Sequence, residues 1–202
     1  MTHDLTETEK GLIREKIREK YAQAAAAPGG CFRYPTGREG LKQQGYPEAI
    51  LAKLPRPLLE AFCGVGNPFR LGPIFPEDAV LDIGCGVGVD TLIAALLAGP
   101  QGRVLGLDVT PEMIAKAREN LALAGLDHVV FEVGPAESLP FPDNNFDVVI
   151  SNGVFNLTLN KEQALREAHR VLKPEGRLMM ADMMLTAPLP EDRADRIDNW
   201  YQ

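Results

Sequence analysis

The sequence predicts an α/β fold: a doubly wound parallel sheet with helices on both faces, preceded by an N-terminal helical cap. Three observations predict it. From Asp78 onward, five short apolar runs alternate with helical patterns, the arrangement of strands joined by right-handed crossovers. The runs are nearly continuous in apolar residues, as in strands buried on both faces. A glycine-rich turn, Asp82-Ile83-Gly84-Cys85-Gly86-Val87-Gly88, follows the first run and opens a helix, where open α/β sheets hold their ligands.

The elements follow in order. A helix is predicted over Thr6–Ala26, because Thr6 and Glu9 have capping-box spacing and Leu12, Ile13, Ile17 and Tyr21 recur at helical intervals. Pro28-Gly29-Gly30 ends it. Residues 31–75 are rich in Gly and Pro and read as irregular, with two short helical pieces near Pro47–Leu54 and Pro57–Phe62. Residues 1–75 lack enough periodic apolar sequence for a separate core, so they are expected to form a cap on residues 76–202. The first strand is Ala79-Val80-Leu81, followed by a helix near Asp90–Leu97 and a second strand at Arg103–Leu107. Thr110-Pro111 pairs an N-cap residue with Pro at the first helical position and opens a helix to about Ala124. His128–Val133 and Phe146–Ser151 are the third and fourth strands. Asn160 caps a helix ending near Leu172, Lys173-Pro174-Glu175-Gly176 stops it, and Arg177–Asp182 is the fifth strand.

Composition narrows the classes. The chain has 202 residues, 45% hydrophobic and 24% charged, ordinary for a globular domain. Its net charge of -7 repels phosphate backbones, so no nucleic-acid partner is expected. No apolar stretch is long enough to span a bilayer, and residues 1–20 are too polar for a secretory signal, so no membrane association is expected. Cys31, Cys63 and Cys85 are odd in number and lack zinc-type spacing, which reads as reduced thiols in a cytoplasmic protein without a metal site.

The turn after the first strand has a sharper chemistry than its glycines alone. A dinucleotide fingerprint would require a third Gly where Val89 stands. Asp82, two residues before the first Gly, would repel a pyrophosphate and attract an ammonium group, such as that on the methionine end of S-adenosylmethionine. Asp108 ends the second strand, 26 positions after Asp82 (108 − 82), where a carboxylate can accept ribose hydroxyls. Leu107 and Met113 can face an adenine, although Met is more often core. Cys85 and Val109 complete the set expected to touch the cofactor from these two loops.

Taken together, residues Asp78 to about Asp182 resemble the class I S-adenosylmethionine-dependent methyltransferases, which have a Rossmann-like core. The resemblance rests on the Asp82 loop, Asp108, Ala136-Glu137-Ser138-Leu139-Pro140-Phe141, Phe146-Asp147 and Arg170-Val171-Leu172-Lys173-Pro174-Glu175-Gly176, in that order. It implies S-adenosylmethionine as cofactor, a methyl acceptor of small-molecule type, Asp82, Gly84 and Gly86 facing the methionine moiety, Asp108 facing the ribose, and Ala136 and Glu137 flanking the adenine. Pro135 stands where many relatives carry an Asp that accepts from the adenine amino group.

A narrower resemblance links Gly64-Val65-Gly66-Asn67-Pro68 and Ile150-Ser151-Asn152-Gly153-Val154-Phe155-Asn156-Leu157 to the arsenite methyltransferases. It implies arsenic-binding cysteines at two positions occupied here by Val65 and Gly153, neither able to supply a thiolate. Cys63 lies two residues from the first. By the same resemblance, Tyr21 and the Cys63–Asn67 loop roof the cofactor. The reading is a relative with a different acceptor; the alternatives are an arsenite methyltransferase and a cofactor-binding module without turnover.

No residue is assigned as a catalytic base. Methyl transfer to an already nucleophilic acceptor needs alignment and exclusion of water more than a base. His169 falls mid-helix and His128 at the wrong strand end. Asp182, Asn152 and Asn156 fall at the ligand-side strand ends, and Asn152 is the one expected to line the site. Class I relatives usually add two strands after the fifth, whereas this chain ends at Asn199-Trp200-Tyr201-Gln202, in what reads as the next helix. A fragment or truncated form is therefore expected; a natural short form or a homodimer covering the edge strand are the other readings.

Overall fold

The computed structural model describes residues 5–184 and Trp200. Helix α1 (Glu7–Ala26) opens with the expected capping box: Thr6 Oγ1 accepts from the Glu9 amide at 3.3 Å, and the Glu9 carboxylate accepts from the Thr6 amide at 2.7 Å. Three short helices follow, α2 (Gly37–Gln43), α3 (Glu48–Leu51) and α4 (Arg56–Glu60), and then a single 3₁₀ turn at Pro68–Arg70. Two of these answer to the expected helical pieces. Helix α2 does not: Gly37 and Gly40 made the segment read as a loop, but Gly40 is buried so close to Pro35 that no side chain fits there.

The core alternates strand and helix: β1 (Ala79–Ile83), α5 (Val89–Ala98), β2 (Arg103–Asp108), α6 (Pro111–Ala124), β3 (Val129–Val133), β4 (Phe146–Asn152), α7 (Lys161–Val171) and β5 (Leu172–Ala181). All pairings are parallel, in the order β3-β2-β1-β4-β5. The order reverses at β1, which lies between β2 and β4. A crevice forms above the carboxyl ends of strands at such a reversal.

Side chains alternate between two buried clusters, as period-2 strands require. Val80, Val104, Phe131, Val148 and Ile150 face α5, α6 and the residues of 24–74, including Leu41, Tyr46, Leu58 and Phe62. Leu81, Ile83, Leu107, Phe146 and Val149 face α7 and the irregular β3–β4 connection through Ala136, Leu139 and Phe141. The N-terminal segment thus shares the core of one sheet face. Arg170 pins the connection to α7, donating to the carbonyls of Leu139 and Phe141 and pairing with Asp143 at 2.8 Å.

The fifth strand differs from expectation. The segment expected only to stop α7 enters the sheet directly, with Leu172 opposite Phe146 and Arg177 opposite Val148. The mismatch is absorbed as a bulge around Glu175, whose φ is 66°. At α6, Thr110 occupies the N-cap position without a side-chain cap. The helix expected at the chain end lies outside the described residues. No helix among the described residues is long and apolar enough to cross a membrane.

Candidate functional site

A cavity of about 500 Å³ opens at the β1–β4 switch point. Its floor is the Asp82–Val87 stretch, one wall is Leu107–Thr110 with Gly134–Glu137, and the opposite wall is Asn152–Val154 with Leu157–Leu159. Helix α1 lies across the top. Arg14, Ile17, Arg18 and Tyr21 line it, positions separated by three and four residues on one helical face. Phe62, Cys63 and Gly64 close the side.

Ten of the eleven sequence-predicted site residues line this space: Tyr21, Asp82, Gly84, Cys85, Gly86, Asp108, Val109, Ala136, Glu137 and Asn152. Met113 does not. It is wholly buried in the core beneath the loop, with its sulfur 3.9 Å from where a Gly86 side chain would begin. Asp182 and Asn156, the other strand-end candidates, bind each other instead: the Asn156 amide donates to Asp182 Oδ2 at 3.1 Å. His169 is exposed on α7, and the His128 ring meets the Ala95 carbonyl at 3.2 Å, far from the site.

The glycine turn is sterically compelled. Gly84 has φ of 72°, and a Cβ there would lie 2.1 Å from Val154 Cγ2. A side chain would be strained and would collide with the opposite wall.

Three carboxylates converge on the cavity. Asp82, 1% exposed, accepts from Thr91 Oγ1 at 2.6 Å. Burial pushes its pKa well up, and the neighbouring Asp90 charge adds to this. Asp90, in the first turn of α5 and 6% exposed, accepts from Tyr46 Oη at 2.7 Å and Asn152 Nδ2 at 2.9 Å. Burial raises it to about 6, against those two hydrogen bonds. Asp108 accepts from the Gly86 amide at 2.9 Å and the Thr110 amide at 2.8 Å, and burial again raises it. Each Asp108 oxygen keeps a second lone pair for a ligand hydroxyl. No Lys or Arg forms an ion pair with any of the three among the described residues. Uncompensated buried carboxylates favour a ligand that brings positive charge.

Asp90 and Tyr46 escaped the sequence reading. Asp90 directly follows the glycine turn and was readable as a helix-start residue; Tyr46 carried no signal in an irregular segment. Asn152 does line the cavity, but its amide is engaged: Oδ1 accepts from Val65 N at 2.8 Å and Gly66 N at 3.0 Å, while Nδ2 donates to Gly66 O at 2.7 Å as well as to Asp90. Val65 and Gly153 face each other. A Cβ on Gly153 would lie 3.2 Å from Val65 Cγ1. Cys63 lines the cavity, its thiol pushed up to about 12 by burial. No group of three or more potential metal ligands occurs among the described residues.

Comparison with known proteins places this geometry. Residues 74–201 match the family model described as Methyltransferase domain. An arsenite methyltransferase of Halobacterium salinarum is 38% identical over 193 residues, covering 89% of this chain and 49% of that protein. A ubiquinone/menaquinone biosynthesis C-methyltransferase of Ectopseudomonas mendocina is 44% identical over 115 residues, covering 56% of this chain and 44% of its own length. Among solved structures, an arsenic(III) S-adenosylmethionine methyltransferase from Chlamydomonas reinhardtii superposes with a TM-score of 0.65 at 34% identity, covering 78% of this chain and 52% of that one. The chain spans about half the length of the relatives it matches.

Proposed function

We propose a reaction for this chain on the premise that it belongs to the class I S-adenosylmethionine-dependent methyltransferases, a membership carried by the match over residues 74–201. The reaction is methyl transfer to a small-molecule acceptor bound beside the cofactor. One observation carries the reading: three carboxylates, the buried Asp82 and Asp90 and the half-buried Asp108, face one cavity with no cationic side chain paired to them among the described residues.

Those residues fit the cofactor's charges. Asp82 would hold the methionine ammonium, the Gly84–Gly86 backbone would approach the methionine chain, Asp108 would accept the ribose hydroxyls, and Ala136 and Glu137 would flank the adenine. S-adenosylmethionine supplies an electrophilic methyl on a positively charged sulfur. The chain's own work is to bind, align and exclude water. Helix α1 covers the cavity with Ile17 and Tyr21, and Phe62, Val154, Leu157 and Leu159 make the remaining wall largely apolar. No residue there is placed as a base, so the acceptor brings its own nucleophile.

An arsenite acceptor is the second reading. It is favoured by the Cys63 thiol at the cavity wall and opposed by Val65 and Gly153, neither of which offers a thiolate. We further propose that residues 1–75 act as the roof and 76–202 as the cofactor core, and that the protein works in the cytoplasm, where its three free thiols stay reduced. Methyl-labelled S-adenosylmethionine offered with menaquinone precursors, thiols and arsenite tests the reading. Label transfer to an organic acceptor but not to arsenite is expected. Transfer to arsenite alone establishes the second reading, and cofactor binding without transfer to any acceptor identifies a binding module.

A further inference from the structure

The Asp90 carboxylate sits where three parts of the molecule meet. It belongs to the first turn of α5, two residues after the glycine turn ends. One oxygen takes the hydroxyl of Tyr46 from the N-terminal segment, and the other takes the amide of Asn152 at the end of β4. Asn152 in turn holds the 64–66 segment by both amides and the Gly66 carbonyl. Tyr46 Oη also lies 3.0 Å from that carbonyl. The fit is close: a Cβ on Gly64 would lie 2.4 Å from Asn152 Nδ2. Cys63 and Gly64 then present the outer side of this segment to the cavity.

The same carboxylate is coupled electrostatically to Asp82, whose ionisation it disfavours. A ligand carrying positive charge beside Asp82 relieves that repulsion. Asp82 and Asp90 line the same cavity, so a cation held there faces Asp90 as well, and hydrogen bonds to a charged acceptor are about twice as strong as neutral ones. The donors it strengthens are those that tie down the wall.

We propose that Asp90 is a positioning residue that, through Tyr46 and Asn152, makes cofactor binding tighten the 63–66 wall of the acceptor pocket. It acts on the acceptor through that wall, and it imposes an order: cofactor first, acceptor second. The proposal rests on the cofactor reading above and extends it from a static site to a coupled one.

Amide hydrogen exchange tests it without any acceptor. Val65 and Gly66 are suitable reporters because they do not line the cavity, so a ligand there does not shield them directly. In the wild-type chain, saturating S-adenosylmethionine is expected to slow exchange at Val65 and Gly66 about tenfold, the scale of an ordinary coupling between two sites. In Tyr46→Phe, which removes one donor and leaves the cavity lining intact, the cofactor is expected to bind within about threefold of wild type while most of that slowing disappears. Asp90→Asn, which removes the charge and turns an NH2 toward one of the two donors, is expected to abolish the slowing altogether. Equal slowing in wild type and Tyr46→Phe overturns the proposal, as does cofactor binding to wild type with no slowing at these amides. Absence of cofactor binding to wild type overturns the underlying cofactor reading instead.

Discussion

Replacing Gly84 by Ala places a Cβ 2.1 Å from Val154 Cγ2 on a residue whose φ is 72°. Backbone strain of this kind costs on the order of 1–3 kcal/mol, and the displaced loop is the one that carries Asp82 and Gly86. Chemical denaturation should therefore show a loss of that size, together with a loss of cofactor affinity. Gly11 offers the opposite case. It lies mid-helix in α1 with nothing within 4 Å of a built Cβ, so Gly11→Ala should stabilise the chain by about 0.5–1 kcal/mol. Stabilisation by Gly84→Ala would mean that the turn is not under the constraint described.

The buried carboxylates set an unusual pH response. Burial raises the pKa of Asp82, Asp90, Asp108 and Asp182 in the folded chain. A raised carboxyl costs folding free energy wherever it must ionise, and that cost is relieved as pH falls through the folded value, about 6 for Asp90. Asp147 and Glu167 are lowered, by Lys173 and Arg170 respectively, so their contribution is lost only at more acid pH. The ligand-free protein should thus melt at a higher temperature at about pH 5.5 than at about pH 7.5. Cofactor affinity should move the other way, weakening as pH falls below about 6, because protonation of Asp82 and Asp90 removes the negative charge that attracts a cationic ligand into the cavity they both line. A melting temperature that falls steadily with acidification in this window would contradict the assignment.

At the scale of elements, the periodic ones were readable and the aperiodic ones were not. Helix α1 announced itself through Thr6 and Glu9, and β1, β2 and β4 through nearly continuous apolar runs, because those signals are local. Helix α2 was hidden by Gly37 and Gly40: Gly37 starts it with φ of 64° against Glu60, and Gly40 packs on Pro35 and Phe62. The path of β5 was hidden by Pro174 and Gly176, which mark a turn locally but sit in a bulge once β4 lies alongside. Lys173 shows the same tertiary influence: its ammonium meets Asp147 at 2.7 Å, and Asp147 also accepts from the Ala79 amide. The connection from Leu139 to Asp143 depends on Arg170 rather than on its own propensity. Arg170→Ala removes donors to two carbonyls and two carboxylates, and should destabilise the fold by about 2–3 kcal/mol in thermal or denaturant melts. A loss under about half a kcal/mol would show that the connection is held by its apolar contacts alone.

Across the whole molecule, the strand-end half of the cavity lining was legible because it sits in two loops, each adjacent in sequence to its strand. Asp82 and Asp108 needed only the sheet order to converge. The side of the cavity closed by Phe62–Gly64 was not legible. The network behind Gly64 joins Tyr46, Val65, Gly66, Asp90 and Asn152, residues up to 106 positions apart that meet only when the N-terminal segment folds onto the sheet. The core reflects this union, since Leu41, Tyr46 and Phe62 pack in one cluster with Val80, Val148 and Ile150.

Titration calorimetry on the wild-type chain with S-adenosylmethionine, and separately with NAD, measures the central claim most directly. The account predicts binding of S-adenosylmethionine, no binding of NAD, and a loss of about 1–3 kcal/mol in Asp82→Ala and again in Asp108→Ala. Tight NAD binding without S-adenosylmethionine binding, or undiminished S-adenosylmethionine affinity in both variants, would contradict it.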